Sequence, residues 1–133
     1  MDCPDSLEGV RWIVDAMNVI GTRPDGWWRD RHRAMTDLVH RLERWSLAEQ
    51  VDVTVVFEQP PVPPIESDVV TIVHAPAAGP NSADDEIVRL IGTQARPDDV
   101  VVATSDRTLA DRVRSGGAAV VPAERLRNLI DPR

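Results

Sequence analysis

The stretch "VRWIVDAMNVIG", residues 10–21, holds the reading on which the fold turns. Its opening, "VRWIVD", is a β-branched and aromatic run too apolar to alternate. A half-exposed strand would alternate, so this one is expected to be covered on both faces, as in a parallel sheet sandwiched by helices. The run ends on a carboxylate, Asp15.

The rest of the chain supplies the elements such a sheet needs. Met35, Leu38, Val39, Leu42 and Trp45 recur at helical spacing through about 31–48 and mark an amphipathic helix. "VDVTVVFE" (51–58) predicts a second strand ending at Glu58. "QPPVPPIES" (59–67) holds four of the eleven prolines and predicts an extended connection. "DVVTIVHA" (68–75) predicts a third strand. Ala83, Ile87, Leu90, Ile91 and Gln94 then predict a helix over about 82–95, with Asn81 or Ser82 as its cap. "VVVATSD" (100–106) predicts a fourth strand stopping at Asp106. "RTLADRVRSGG" (107–117) predicts a helix capped at Gly116, "AAVV" (118–121) a fifth strand, and 122–130 a last short helix. This alternation gives an α/β fold, a single domain with a mostly parallel sheet flanked by helices on both faces. The domain is expected to occupy 1–133, with the fold proper in about 11–130 and a loose N-terminus in 1–10.

Composition narrows the function classes. At 133 residues and 42% hydrophobic content the chain is long enough to bury one core without metal or disulfide staples. Cys3 is the sole cysteine, which removes an intrachain disulfide or a cysteine-rich zinc site. No apolar run approaches the roughly 20 residues of a membrane span, and "MDCPDSLEGV" is acidic where a signal peptide is basic, so a cytoplasmic protein without membrane contact is expected. There is no Lys, which argues against a P-loop nucleotide hydrolase and against a phosphoacceptor domain that pairs a Lys with its phosphoryl group.

In a sheet of this kind ligands sit beyond the carboxyl ends of the strands, near the switch in strand order. Asp15, Glu58 and Asp106 fall at predicted strand ends, and Asp84 and Asp85 open a helix that follows a strand. One acid in "ADDE" (83–86) suits a capping box and the helix dipole; three exceed that need. Clustered carboxylates repel one another and favour a bound proton or a hard divalent cation such as Mg²⁺ or Mn²⁺, whose natural substrate is a phosphodiester. The formal net charge of -7 opposes bulk polyanion binding, yet all fifteen basic residues are Arg and gather in patches. "RPDGWWRDRHR" (23–33) pairs arginines with Trp27 and Trp28, a composition suited to stacking unpaired bases, although a Trp pair more often belongs to a loop packed on the core. Arg23, Trp28, Arg29 and Arg107 are the candidate substrate-binding residues. His32, His40 and His74 lack ligand or catalytic spacing and are read as structural, and Asp111, in a helix body, as a surface acid.

"VDAMNVIG" (14–21), "SADDEI" (82–87) and "ATSDRTLADRV" (103–113), in that order and with Phe57-Glu58 between the first two, resemble the YacP-like NYN ribonucleases of the PIN-like superfamily. The resemblance covers about Trp12 to Leu129. It implies a metal-dependent ribonuclease, using Mg²⁺ or Mn²⁺, that acts on single-stranded or loosely structured RNA, with association with the ribosome as a further partner to consider. Carried over by position, Asp15, Asp84, Asp85 and Asp106 are the implied metal and catalytic acids, and Asn18 braces Asp15. An amide suits that role, because it donates to a carboxylate while its carbonyl holds the turn. Relatives often carry Gly-Tyr where this chain has Ala16-Met17. The alternative function is a catalytically weak PIN-like module that binds RNA or protein; a PIN-like toxin paired with an antitoxin would still be a ribonuclease.

Overall fold

The computed structural model describes residues 10–22, 26–76, 82–94 and 96–131. The expected loose N-terminus with Cys3, the candidate cap Asn81 and the candidate rim residue Arg23 lie outside the described residues. Five strands, β1 (Arg11–Asp15), β2 (Asp52–Phe57), β3 (Thr71–His74), β4 (Val100–Ala103) and β5 (Ala119–Val121), form one sheet in the order β3-β2-β1-β4-β5. Every pairing is parallel. The helices are α1 (Ala16–Ile20), α2 (Arg31–Glu49), α3 (Ser82–Gly92), α4 (Arg107–Ser115) and α5 (Ala123–Ile130), with single 3-10 turns at Trp27–Arg29 and Pro97–Asp99.

The strands are apolar on both sides because each side meets helices. One core joins Val14, Val53, Val55, Phe57 and Ala103 to Val19, Leu38, Leu42 and Leu126 of α1, α2 and α5. The other joins Ile13, Val56, Val100 and Val102 to Ile87, Ile91, Leu109 and Val113 of α3 and α4. Along β1 the alternation sends Trp12 and Val14 to the first core and Ile13 to the second. The same period of two aims Asp15 to the α3 and α4 side, at the carboxyl end of the central strand.

Element ends follow local chemistry. Asp30 caps α2, its carboxylate accepting from the Arg33 N–H at 3.1 Å. The helix closes on Gln50 in the left-handed region, and the buried Ser46 hydroxyl donates to the Val51 carbonyl at 2.6 Å, which carries the chain straight into β2. Gly116 caps α4 as expected, and the left-handed residue that turns the chain toward β5 is the next one, Gly117, at φ 94°.

Two expectations of detail differ. The predicted strands 51–58, 68–75 and 100–106 are each shorter in the structure; Glu58 directly follows the last residue of β2, and Asp106 lies three residues past the end of β4, as the N-cap of α4. β1 also runs directly into the short helix α1, where a turn was expected. Ala16, Val19 and Ile20 are buried there, so tertiary packing supports five helical residues that are too short a run to announce themselves in the pattern.

Candidate active site

The strand order reverses between β1 and β4, where the chain runs outward through β2 and β3 on one side and β5 on the other. Asp15 ends β1 at this switch point, in register with Val56 of β2 and one residue past the Val14–Ala103 pair that joins β1 to β4. The next residue of the β4 chain is Thr104, whose buried hydroxyl donates to Asp15 Oδ2 at 2.9 Å. The same hydroxyl oxygen accepts the Asp106 N–H at 3.1 Å. Thr104 thereby locks the acid of β1 to the segment that presents the acid of α4.

Asp106 is the N-cap of α4, with its Oδ1 accepting the Leu109 N–H at 2.9 Å. Asn18, on α1, accepts the Ser105 N–H through Oδ1 at 2.8 Å. Its carbonyl therefore holds the Thr104–Asp106 turn, whereas the hydrogen bond to Asp15 that was expected of Asn18 comes from the Thr104 hydroxyl. Ser105 lies before the cap rather than at the helix start, and its hydroxyl accepts the Ala123 N–H at 2.9 Å, tying the turn to the start of α5. Three segments distant in sequence are thus fastened at one point.

From the other direction α3 brings "ADDE". Its three acids part company because a helix rotates successive side chains by 100°. Asp84 is half-buried and faces the acids of β1 and α4, while Asp85 is exposed and bound to Arg112 of α4 at 2.9 Å. Glu86 is 6% exposed and forms two bonds to Arg89, at 3.0 and 2.6 Å. Hydrogen bonding by Arg89 holds the Glu86 carboxyl below its usual range. Glu86 is thus a structural acid, and the surplus charge in the motif is divided among a site acid, an ion pair between helices and a pair within α3 whose arginine stays in solvent. Ser82 opens the helix, with its hydroxyl directed to the Glu58 carbonyl at 3.5 Å.

The electrostatics reflect this assembly. Asp15 is only 7% exposed, and its carboxyl is pushed from 3.8 to about 6, first by burial, then by the charges of Asp84, Asp106 and Glu58, against the lowering effect of the Thr104 hydrogen bond. Asp84 is also raised, by burial and then by Asp106, while Arg112 opposes the shift. Oxygen-only donors with unsatisfied negative charge suit a hard divalent cation in their chemistry. Among the described residues, however, no group of three or more His, Cys, Asp or Glu is arranged to hold a metal ion.

The candidate rim divides. Trp27 is half-buried against the core with the Arg31 guanidinium 5.5 Å from its ring centroid, whereas Trp28 is 56% exposed and carries Arg29 at 5.9 Å. Arg107 and Arg114 line an open hollow of about 410 Å³ beside Thr104 and Ser105. His32 and His74 are tied to backbone carbonyls at 2.7 and 2.9 Å, in keeping with structural roles. Asp111 is exposed and 3.8 Å from Arg114. The role of Thr104 and the pairing of Arg112 with Asp85 escape the sequence reading. A Thr just past an apolar strand, followed two residues later by a capping Asp, was the available signal for the first; Arg112 had only its helical spacing.

Among the described residues no helix is long and apolar enough to cross a membrane. No curated protein matches this chain. A crystal structure of a mutant of Rae1 (YacP) from Bacillus subtilis superposes with a TM-score of 0.76 at 21% identity, over 92% of this chain and 75% of that one. A second structure of Rae1 (YacP) from Bacillus subtilis gives 0.72 at 20% identity, over 90% and 72%. These likenesses establish the shared fold, with its five parallel strands and flanking helices. Residues 12–132, which carry the acids of β1, α3 and α4, match the YacP-like NYN domain, and the chain therefore belongs to the YacP-like NYN domain family, with its PIN-like nuclease fold.

Proposed function

We propose that the protein is a metal-dependent endoribonuclease that hydrolyses RNA phosphodiester bonds at the carboxyl edge of the sheet. The observation that carries this reading is the buried Asp15 carboxylate at the switch point, which feels the charges of Asp84, Asp106 and Glu58 from three other segments. Burying a carboxyl among like charges costs stability, and a group so perturbed at a switch point is a candidate cation ligand.

Asp15, Asp84, Asp85 and Asp106 would hold Mg²⁺ or Mn²⁺, with Asp85 the acid that Arg112 already neutralises in the free protein. A bound ion of this kind polarises a phosphoryl oxygen and acidifies the attacking water. The chain's own residues prepare for that event. Thr104 orients Asp15, and Asn18 holds the turn that carries Asp106. Asp15 ionises in the free protein near pH 6, so cation binding is coupled to loss of its proton below that pH. Arg29, Trp28 and Arg107 offer phosphate and stacking contacts for single-stranded RNA.

A second reading, an RNA-binding module without catalysis, is favoured by the lack of a ready-made group of three metal-binding side chains among the described residues. Short labelled RNA and DNA incubated with Mn²⁺ or Mg²⁺, and with EDTA as control, decide between them. The nuclease reading expects RNA cleavage that EDTA abolishes and that Asp84→Asn lowers by on the order of a hundredfold, the upper end of what losing even an outer partner of a bound metal costs. RNA binding without cleavage under any metal would establish the module instead.

A further inference from the structure

Resting on the nuclease reading, we propose that the hollow between α1, α2 and the segment after β2 is a nucleobase subsite, which receives the base next to the phosphate held over the acids. The hollow measures about 240 Å³. Met17 of α1 and Met35 of α2 line it opposite Pro60, Pro61 and Val62. Arg31, His32, Glu58 and Gln59 supply its polar boundary.

Its position points to this occupant. Glu58 belongs both to the hollow and to the acid constellation, since its charge raises Asp15 and Asp84. Met17 is two residues beyond Asp15, on the helix that starts where β1 stops. A nucleic-acid strand with one phosphate over the acids, passing Glu58 across the edge of the sheet, brings an adjacent base to the hollow.

Its chemistry agrees. Thioether and proline surfaces are polarisable and apolar, and they make no hydrogen-bond demand, so they receive the face of any base. Gln59 adds an amide able both to donate and to accept at a base edge, and Arg31 adds a cation for the accompanying phosphate. At about 240 Å³ the space falls below the roughly 300–1,000 Å³ of sites for drug-sized ligands, which suits a single ring system with its sugar. The walls are set in advance, because His32 Nε2 bonds the Pro63 carbonyl at 2.7 Å and so ties the proline segment to α2. The hollow beside Thr104 and Ser105 carries two arginines, Arg107 and Arg114, and suits backbone phosphate rather than a base.

The test uses the full chain with ¹³C-methyl methionine, in EDTA so that no cleavage intervenes. Met17 and Met35 report on the hollow, and Met1 is the reference. Each of the four nucleoside 5′-monophosphates is titrated, with ribose 5-phosphate as the base-free probe. The expected result is a saturable upfield displacement of the Met17 and Met35 methyl resonances by nucleotides, with no displacement by ribose 5-phosphate. Still methyls with every nucleotide, or equal movement with ribose 5-phosphate, would overturn the subsite. RNA cleavage by the same preparation in Mn²⁺ is read separately. A protein that cuts RNA while both methyls stay still loses the subsite and keeps the reaction; one whose methyls move without cleavage keeps the subsite as part of a binding module.

Discussion

Asp15 shows at the scale of one side chain what the fold gives up to build its site. Its carboxyl is raised from 3.8 to about 6 by burial and by neighbouring acids. The sign follows from linkage: a carboxyl whose folded value lies above its unfolded one favours folding when protonated, so its full contribution is present below about pH 4 and is lost as the pH rises through 6. The shift is worth roughly 3 kcal/mol, lost over that window. Asp15→Asn keeps an oxygen to accept from Thr104 and removes the charge. The variant should therefore melt above wild type at pH 7.5, with the advantage shrinking to nothing near pH 4. Thermal unfolding at the two pH values checks this, and a variant no more stable at pH 7.5 would mean that Asp15 carries no such burden. Asp84→Asn should likewise leave the fold intact or stiffer without metal, since it too relieves crowding among acids. A loss of melting temperature there would restore the capping explanation of "ADDE".

At the scale of elements, the short helix α1 and the 3-10 turn Trp27–Arg29 decide what the site touches. Asn18 on α1 holds the Ser105 N–H, so Asn18→Ala should cost about 1 kcal/mol and loosen the turn bearing Asp106. Urea unfolding measures the first effect and single-turnover cleavage the second. The 3-10 turn places two adjacent tryptophans in different surroundings, one against the core and one toward solvent. Trp28→Ala should weaken RNA binding by ~1–3 kcal/mol, leave the salt dependence unchanged and spare the melting temperature. Arg29→Ala should instead flatten the slope of log affinity against log salt, because one fewer phosphate is neutralised. Anisotropy titrations of a short RNA at several salt concentrations separate the two. Unchanged affinity in both variants would move the rim to Arg107 and Arg114.

At the scale of the whole molecule, a cation that binds only the native state stabilises all of it by mass action, about 2.7 kcal/mol at a hundred times its dissociation constant. Mn²⁺ or Mg²⁺ should therefore raise the melting temperature of wild type, more at pH 8 than at pH 5.5, where Asp15 still holds its proton. Asp15→Ala should shrink the rise. Calorimetry across millimolar metal provides the measurement, and a melting point indifferent to metal at both pH values would count against a site formed before RNA arrives.

By itself the sequence determined the layered α/β architecture, because buried parallel strands leave unbroken apolar runs such as "WIV" (12–14) and "VVVA" (100–103), and two-faced burial demands the intervening helices. It also placed Asp15, Asp84 and Asp106 on one edge, since strand ends and helix starts in such a sheet share a side. Only the tertiary structure decided how the acids are shared out. Asp84 turns toward Asp15, Glu86 is held by Arg89 three residues on in the same helix, and Asp85 is bound by Arg112 of α4, 27 residues away, a separation that carries no signal of the pairing. The same holds for Thr104, 89 residues from the carboxylate it orients, and for α1, whose five residues are helical because Val19 and Ile20 are buried. Local pattern records which face of an element is buried; which polar group meets which depends on how the elements dock, and that is settled by packing among residues far apart in the chain.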